Sequence, residues 1–175
     1  SMPIRDLNLF AAKEGSPVKI TANRGASGID GNIATAAGFA KGLKTACTAL
    51  IGDLTFLHDL NSLSLLRELK QPFVLIVLNN NGGAIFSFLP IVDLRNDFEK
   101  FFTTPHHTTF EHAAKLFNLS YHAIKTPADL KKTYLTSIQK PEPTLIEVYL
   151  DNKKNLEIHK IIEAEIRASL KKLKF

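Results

Sequence analysis

The sequence predicts an α/β fold, a mostly parallel sheet with helices on both faces. Three observations carry this reading. Apolar runs of strand length alternate with amphipathic stretches of helix length in the order αβαβαβ…αβαβα, the pattern of parallel strands joined by helical crossovers. The run FVLIVL, Phe73 to Leu78, does not alternate, which suits a strand buried on both faces better than one arm of a hairpin. Two strand ends carry the polar groups, Gly52-Asp53 and Asn79-Asn80-Asn81-Gly82-Gly83. Parallel strands bring such ends to one carboxyl edge, where open α/β sheets bind ligands.

Along the chain, Pro3 suits a first helical turn, and Ile4, Leu7, Leu9 and Phe10 give that helix an apolar face before Gly15-Ser16-Pro17 stops it. Val18 to Ala22 alternates and is expected as a strand. Asn23 to Gly31 follows as a glycine-rich loop, of the kind that lets backbone approach a ligand closely. Small residues at helical spacing from Asn32 predict a tightly packed helix ended by Gly42. Thr48 to Ile51 is an apolar strand, and an amphipathic helix is expected from Asp53 through about Leu69, ahead of the strand Phe73 to Leu78.

Beyond Gly83, the large apolar residues Ile85, Phe86, Phe88 and Leu89 are either core or the wall of a pocket. Ile91 to Pro105 lacks periodicity and reads as a loop able to order over the strand ends. Thr109 opens a helix through about Phe117, and Tyr121 to Ile124 is a short strand. Thr126 as N-cap and Pro127 in the first turn start a helix from Ala128 to about Gln139. Thr144 to Leu150 alternates and is expected to close the sheet. Asn155 to Leu173 is a terminal helix with Ile158, Ile161, Ile162, Ile166 and Leu170 near helical spacing.

With 175 residues, 45% apolar and 22% charged, the chain is expected to form one globular domain over residues 1–175. No apolar run reaches the ~18 residues of a membrane span, and no charged-then-apolar leader is present. The single Cys47 sits at the start of an apolar strand, reads as a buried structural thiol, and points to a reducing, cytoplasmic setting. The formal charge of +5 leans on the last helix, where Lys171, Lys172 and Lys174 suit the negative end of a helix dipole. No basic stripe interleaved with aromatics speaks for nucleic acid.

Asp53 and Asn80 lie 27 residues apart, enough for a helix and a strand to return the chain beside its start. A carboxylate, an amide oxygen and the carbonyl of Gly82 then make half of an octahedral site for Mg²⁺, or Mn²⁺ in its place, which a diphosphate would complete. The competing reading is an inert Asn-Gly turn. Six histidines (His58, His106, His107, His112, His122 and His159) show no zinc-type spacing and are expected in solvent or core roles. Gly-x-Ser-x-Gly is absent.

The spans GDLTFLHDLNSL and NNNGGAIFSFLP, with NRGASGIDG at Asn23 to Gly31, SMPIRD at Ser1 to Asp6 and FEHAAKLF at Phe110 to Phe117, resemble the thiamine-diphosphate enzymes. Within them they resemble most the synthase branch of menaquinone biosynthesis. The family motif opens Gly-Asp-Gly; here its third position is Leu54, as is common in that branch. The resemblance covers most of the chain, from Ser1 to about Leu150.

That resemblance implies a three-layer thiamine-diphosphate-binding fold and a transferase that decarboxylates 2-oxoglutarate and adds the succinyl unit to isochorismate. Gly28, Ile29, Gly52, Asp53, Leu54, Asn80, Gly82 and Gly83 would bind the cofactor, and Asp53, Asn80 and Gly82 the metal. Ile29 would be the catalytic prop beneath the cofactor, and Ser1, Arg5, Arg24, Ile85, Phe86 and Leu89 would meet the dicarboxylate substrates. The pyrimidine-binding domain, with its glutamate, would come from a second subunit of a homodimer or tetramer, so this chain alone is expected to be inactive. The other readings are a different thiamine-diphosphate decarboxylase or carboligase, and a cofactor-binding module without catalysis.

Overall fold

The computed structural model describes residues 2–11, 15, 18–23, 28–94 and 96–172. Helix α1 (Met2–Phe10) and helix α2 (Asn32–Leu43) precede strand β1 (Cys47–Gly52), which runs straight into α3 (Asp53–His58). A 3₁₀ turn (Leu60–Ser62) and α4 (Leu63–Leu66) lead to β2 (Phe73–Asn79). Two 3₁₀ turns, the short α5 (Asn96–Phe98) and a π-helical turn (Glu99–Thr103) connect to α6 (Glu111–Leu116). β3 (Ser120–Ile124), α7 (Pro127–Ser137), β4 (Pro143–Tyr149) and α8 (Asn152–Lys172) complete the described chain.

The four strands form one wholly parallel sheet in the order β1-β2-β4-β3. Successive strand residues face opposite sides, so each strand feeds two cores. Phe73, Leu75 and Val77 of β2 and Leu145 of β4 pack with Ile33 and Ala37 of α2, Phe56 of α3, Leu63 and Leu66 of α4 and Ala114 of α6. On the other face Val74, Ile124 and Ile146 pack against Leu130, Tyr134 and Ile138 on and after α7. Helices on both sides of a parallel sheet make three layers. Phe56, Phe73 and Phe110 are essentially fully buried, each contributing about 1.5–3 kcal/mol of apolar burial.

Five expectations need correction. Val18 to Ala22 forms no strand: residues 18–23 are irregular, with Val18 and Ile20 72% and 67% exposed. Alternation marks a possible strand, but a ladder needs a partner, and α1 lies alongside β1 at that end of the sheet. Gly42 lies inside α2, which is capped instead by Lys44 in the left-handed region (φ 54°), its N–H donating to the Ala40 carbonyl. β4 does not close the sheet; it lies between β2 and β3, and its run of buried residues reflects cover on both faces. In the segment expected as a loop from Ile91 to Pro105, residues 91–94 and 96–103 form helical turns.

The helix expected from Asp53 to Leu69 is broken at Asp59. The Asp59 carboxylate is used elsewhere: Oδ2 accepts from the N–H groups of Ile33 (2.5 Å) and Ala34 (3.1 Å) at the start of α2, and Oδ1 from the Ser62 hydroxyl (2.6 Å). The orphan donors of one helix are thus satisfied by a residue that interrupts another. The Thr126 cap of α7 is as expected, accepting from Asp129 N–H at 3.2 Å.

Candidate diphosphate and metal site

β1 and β2 are adjacent and parallel, in register from Cys47 opposite Phe73 to Gly52 opposite Leu78. Their carboxyl ends therefore deliver Asp53 and the Asn79–Gly83 turn to the same edge. Asp53 is 2% exposed. Its Oδ2 accepts from Asn80 N–H (3.1 Å) and Gly82 N–H (2.9 Å), and its Oδ1 from Leu54 N–H (2.7 Å). A carboxylate at the first turn of α3 also complements the positive end of that helix.

Around this carboxylate, polar groups converge. The Asn80 side-chain amide stands 2.8 Å from the Gly82 carbonyl oxygen and 3.0 Å from Asp53 Oδ2, and with its NH₂ turned to them it donates to both. Turned the other way, it brings a third oxygen to the same point, an arrangement that a cation among the three would hold. Octahedral Mg²⁺, with bonds of about 2.1 Å, spaces neighbouring ligand oxygens about 3 Å apart, so the Asp53, Asn80 and Gly82 set fits such an ion. A site with one carboxylate and two neutral oxygens needs no cluster of acidic, histidine or cysteine ligands, and none occurs among the described residues.

The turn is held by backbone that only glycine can supply. Gly82 has φ 133°, and a Cβ there would collide with the Thr103 carbonyl. Gly83 donates its N–H to the same carbonyl at 2.7 Å. The π-helical turn thereby packs directly on the loop, and Phe102 meets Phe86 edge-on at 5.6 Å.

His106 was not expected here. Its Nε2 lies 3.1 Å from Asp53 Oδ2, and its Nδ1 accepts from Thr108 N–H at 3.0 Å. An Nδ1 that accepts a backbone proton carries none itself, so the geometry assigns the proton to Nε2, which donates to Asp53. Histidine spacing carried no sign of this, because the contact crosses 53 residues of chain.

A second unforeseen group is Glu147, wholly buried in the middle of β4. It accepts from Asn79 Nδ2 (2.5 Å), Phe110 N–H (3.0 Å) and the Tyr121 hydroxyl (2.6 Å). Burial and that bond to Glu147 raise the Tyr121 pKa well above the usual phenol value, keeping it a donor. A lone carboxylate inside the apolar run TLIEVYL was the available signal.

The other expected residues are less closely tied. Gly28 and Ile29 stand just before α2, whose start is anchored at Asp59, and among the described residues no hydrogen bond joins them to the Asp53 loop. Ile85 and Phe86 are half-buried in the 3₁₀ turn after Gly83, and Leu89 is exposed. Arg5 is exposed on α1, while Ser1 and Arg24 lie outside the described residues. No helix among the described residues is long and apolar enough to cross a membrane.

Comparison with known proteins shows the family. The family model "Thiamine pyrophosphate enzyme, C-terminal TPP binding domain" matches residues 11–148. A 2-succinyl-5-enolpyruvyl-6-hydroxy-3-cyclohexene-1-carboxylate synthase of Rubrobacter xylanophilus is 52% identical over 160 residues, 91% of this chain and 28% of that protein. The synthase of the same name from Salinibacter ruber is 49% identical over 170 residues, 97% of this chain and 28% of its own. The chain thus spans under a third of the length of these relatives. In fold it is similar to benzoylformate decarboxylase from Polynucleobacter necessarius (TM-score 0.60, 17% identity, 69% of this chain and 23% of that one). It is also similar to a thiamine diphosphate-dependent 4-hydroxybenzoylformate decarboxylase of Rhodococcus jostii (TM-score 0.51, 28% identity, 59% of this chain and 19% of that one). With the family model covering most of its length and the strand-end site in place, the chain belongs to the thiamine pyrophosphate enzymes, as their C-terminal TPP-binding domain.

Proposed function

We propose that this chain is the diphosphate-binding domain of a cytoplasmic transferase of menaquinone biosynthesis, one that decarboxylates 2-oxoglutarate and joins the succinyl unit to isochorismate. The observation that carries the reading is the 52% identity, over 91% of the chain, to a synthase of that name. Asp53, Asn80 and the Gly82 carbonyl would hold Mg²⁺, supported by the convergence of the Asn80 amide on the Gly82 carbonyl and Asp53 Oδ2 at 2.8 and 3.0 Å. Gly52, Leu54 and Gly83 would complete the diphosphate cradle, with Leu54 N–H already fixed to Asp53.

Bound thiamine diphosphate would supply the carbanion chemistry, which no protein side chain provides. The chain's own residues would bind, orient and exclude water. Gly28 and Ile29 would support the cofactor from the α2 side, Ile29 by its apolar bulk. Ile85, Phe86 and Leu89 would line the reacting centre with apolar surface. Arg5 and Arg24, with Ser1, would meet substrate carboxylates, since a guanidinium matches a carboxylate with two parallel donors. The pyrimidine-binding domain of a second subunit would complete the site, making the active unit a homo-oligomer.

The test is an assay of the complete polypeptide with 2-oxoglutarate, isochorismate, thiamine diphosphate and Mg²⁺. Cofactor-dependent consumption of both substrates is expected. Turnover of another 2-oxo acid in preference to 2-oxoglutarate would move the chain to a different branch of the family.

A further inference from the structure

We infer that Glu147 is a positioning residue: through Asn79 it sets the turn that presents Asn80 and Gly82 to the metal. The inference rests on the site proposed above. Both Glu147 oxygens act as acceptors, Oε2 for Phe110 N–H and the Tyr121 hydroxyl and Oε1 for the Asn79 side chain at 2.5 Å. The Asn79 amide must therefore turn its NH₂ toward Glu147. Its oxygen is left facing the turn, where it accepts from Asn81 N–H at 3.1 Å. The same NH₂ donates to the Thr108 carbonyl at 3.0 Å.

This one side-chain orientation joins the end of β2 to the 106–108 segment and folds residues 79–81 so that Asn81 takes the left-handed conformation at φ 62°. Asn80 N–H and Gly82 N–H then reach Asp53 Oδ2. From the other side, Asn152 Nδ2 donates to the Asn80 carbonyl at 2.9 Å. Glu147 sits on the same sheet face as Leu145 two residues before it, beside Phe110 and Tyr121. Among the described residues no cation lies within ion-pair distance of it; it accepts from Asn79, Phe110 and Tyr121, and the Tyr149 hydroxyl faces it too. Burying a carboxylate carries a desolvation cost that an apolar residue here would avoid. What an apolar residue cannot do is dictate the orientation of the Asn79 amide.

The branches of this network separate positioning from plain stability. In the complete enzyme, Mn²⁺ affinity is read from the free-ion electron paramagnetic resonance signal with thiamine diphosphate present, beside the thermal midpoint. Glu147→Gln supplies one donor where two acceptors are needed, so Asn79 can adopt either orientation. Mn²⁺ affinity should fall by about tenfold, the lower end of the cost of losing a group bonded directly to a metal ligand, because Glu147 acts one step further out through Asn79. Tyr121→Phe removes a different donor from the same carboxylate and should lower the midpoint while leaving Mn²⁺ affinity within about twofold.

Asn79→Ala, which cuts the link but leaves Glu147 its bonds from Phe110 N–H and the Tyr121 hydroxyl, should reproduce the Mn²⁺ defect even if Glu147→Gln does not fold. The exchanged pair Asn79→Asp with Glu147→Gln restores one donor facing one acceptor and should recover part of the affinity. Wild-type Mn²⁺ affinity in Glu147→Gln or Asn79→Ala, or equal losses in Tyr121→Phe and Glu147→Gln, would overturn the inference and leave the metal site standing. Failure of wild type to bind Mn²⁺ at all would overturn the site and the inference together.

Discussion

His106 Nε2 and Asp53 Oδ2 stand 3.1 Å apart across 53 residues of chain, with the ring seated over Phe110 at 5.8 Å between centroids. Oδ2 also receives the N–H groups of Asn80 and Gly82. Three donors converge on this one carboxylate oxygen, so a cation bound there competes with them. One donor must withdraw when the metal binds, and His106 is the only one of the three carried on a side chain. His106→Phe keeps the stacking and removes the competitor, so Mg²⁺ should bind more tightly, by up to about tenfold, the worth of a hydrogen bond to a charged group. Calorimetric titration of Mg²⁺ in the presence of thiamine diphosphate measures this; weaker binding in the variant would mean that His106 orients Asp53 rather than competing for it.

Gly82→Ala should lose both stability and cofactor binding. The φ of 133° is a glycine conformation, costing another residue about 1–3 kcal/mol, and the added methyl meets the Thr103 carbonyl. A lowered thermal midpoint together with weakened thiamine diphosphate binding is the expected result. A variant with wild-type values for both would show that the turn has another accessible form.

The sheet was legible in the sequence where burial is two-sided. FVLIVL read as a strand because both its faces are covered, TLIEVYL read as one from its alternation, and the 27-residue interval between Asp53 and Asn80 foretold the meeting of those two residues. Val18 to Ala22 misled because alternation reports a pattern and says nothing of a partner. The break at Asp59 was hidden because its cause is a cap on α2, 25 and 26 residues away. The same holds for His106 and Glu147, whose meaning lies in contacts 53 and 68 residues distant. Residue type and local period do not encode such pairings, whereas the Asp53 and Asn80 pair belongs to a family motif.

Substrate recognition should be separable from cofactor binding at Arg5, which is exposed on α1. If it meets a substrate carboxylate, Arg5→Ala should lower kcat/KM for the dicarboxylates about ten- to a hundred-fold with thiamine diphosphate affinity unchanged. Arg5→Lys should recover only part of the loss. Steady-state kinetics of the complete enzyme alongside cofactor titration would show it, and a parallel fall in cofactor affinity would argue for a bracing role.

Asp151 caps α8: its Oδ1 accepts from the N–H groups of Lys153 (2.8 Å) and Lys154 (3.1 Å). Those bonds hold its pKa below the ordinary 3.8. A carboxylate with a depressed folded pKa adds stability above its unfolded pKa, and loses it as pH falls through the folded value. Asp151→Ala should therefore lower the thermal midpoint at pH 7, with the gap to wild type narrowing below about pH 3.8. A gap independent of pH would mean that the ionised cap contributes nothing.

The central claim is that Asp53, Asn80 and the Gly82 carbonyl hold the divalent cation that binds the diphosphate. The most direct measurement is calorimetric titration of thiamine diphosphate, with and without Mg²⁺, into the complete wild-type enzyme and its Asp53→Ala and Asn80→Ala variants. Mg²⁺ takes few protein ligands, and Asp53 is the only charged one in this set. Mg²⁺-dependent binding should be strong in wild type, reduced in Asn80→Ala and absent in Asp53→Ala. Equal Mg²⁺-dependent affinity in wild type and Asp53→Ala would contradict the assignment.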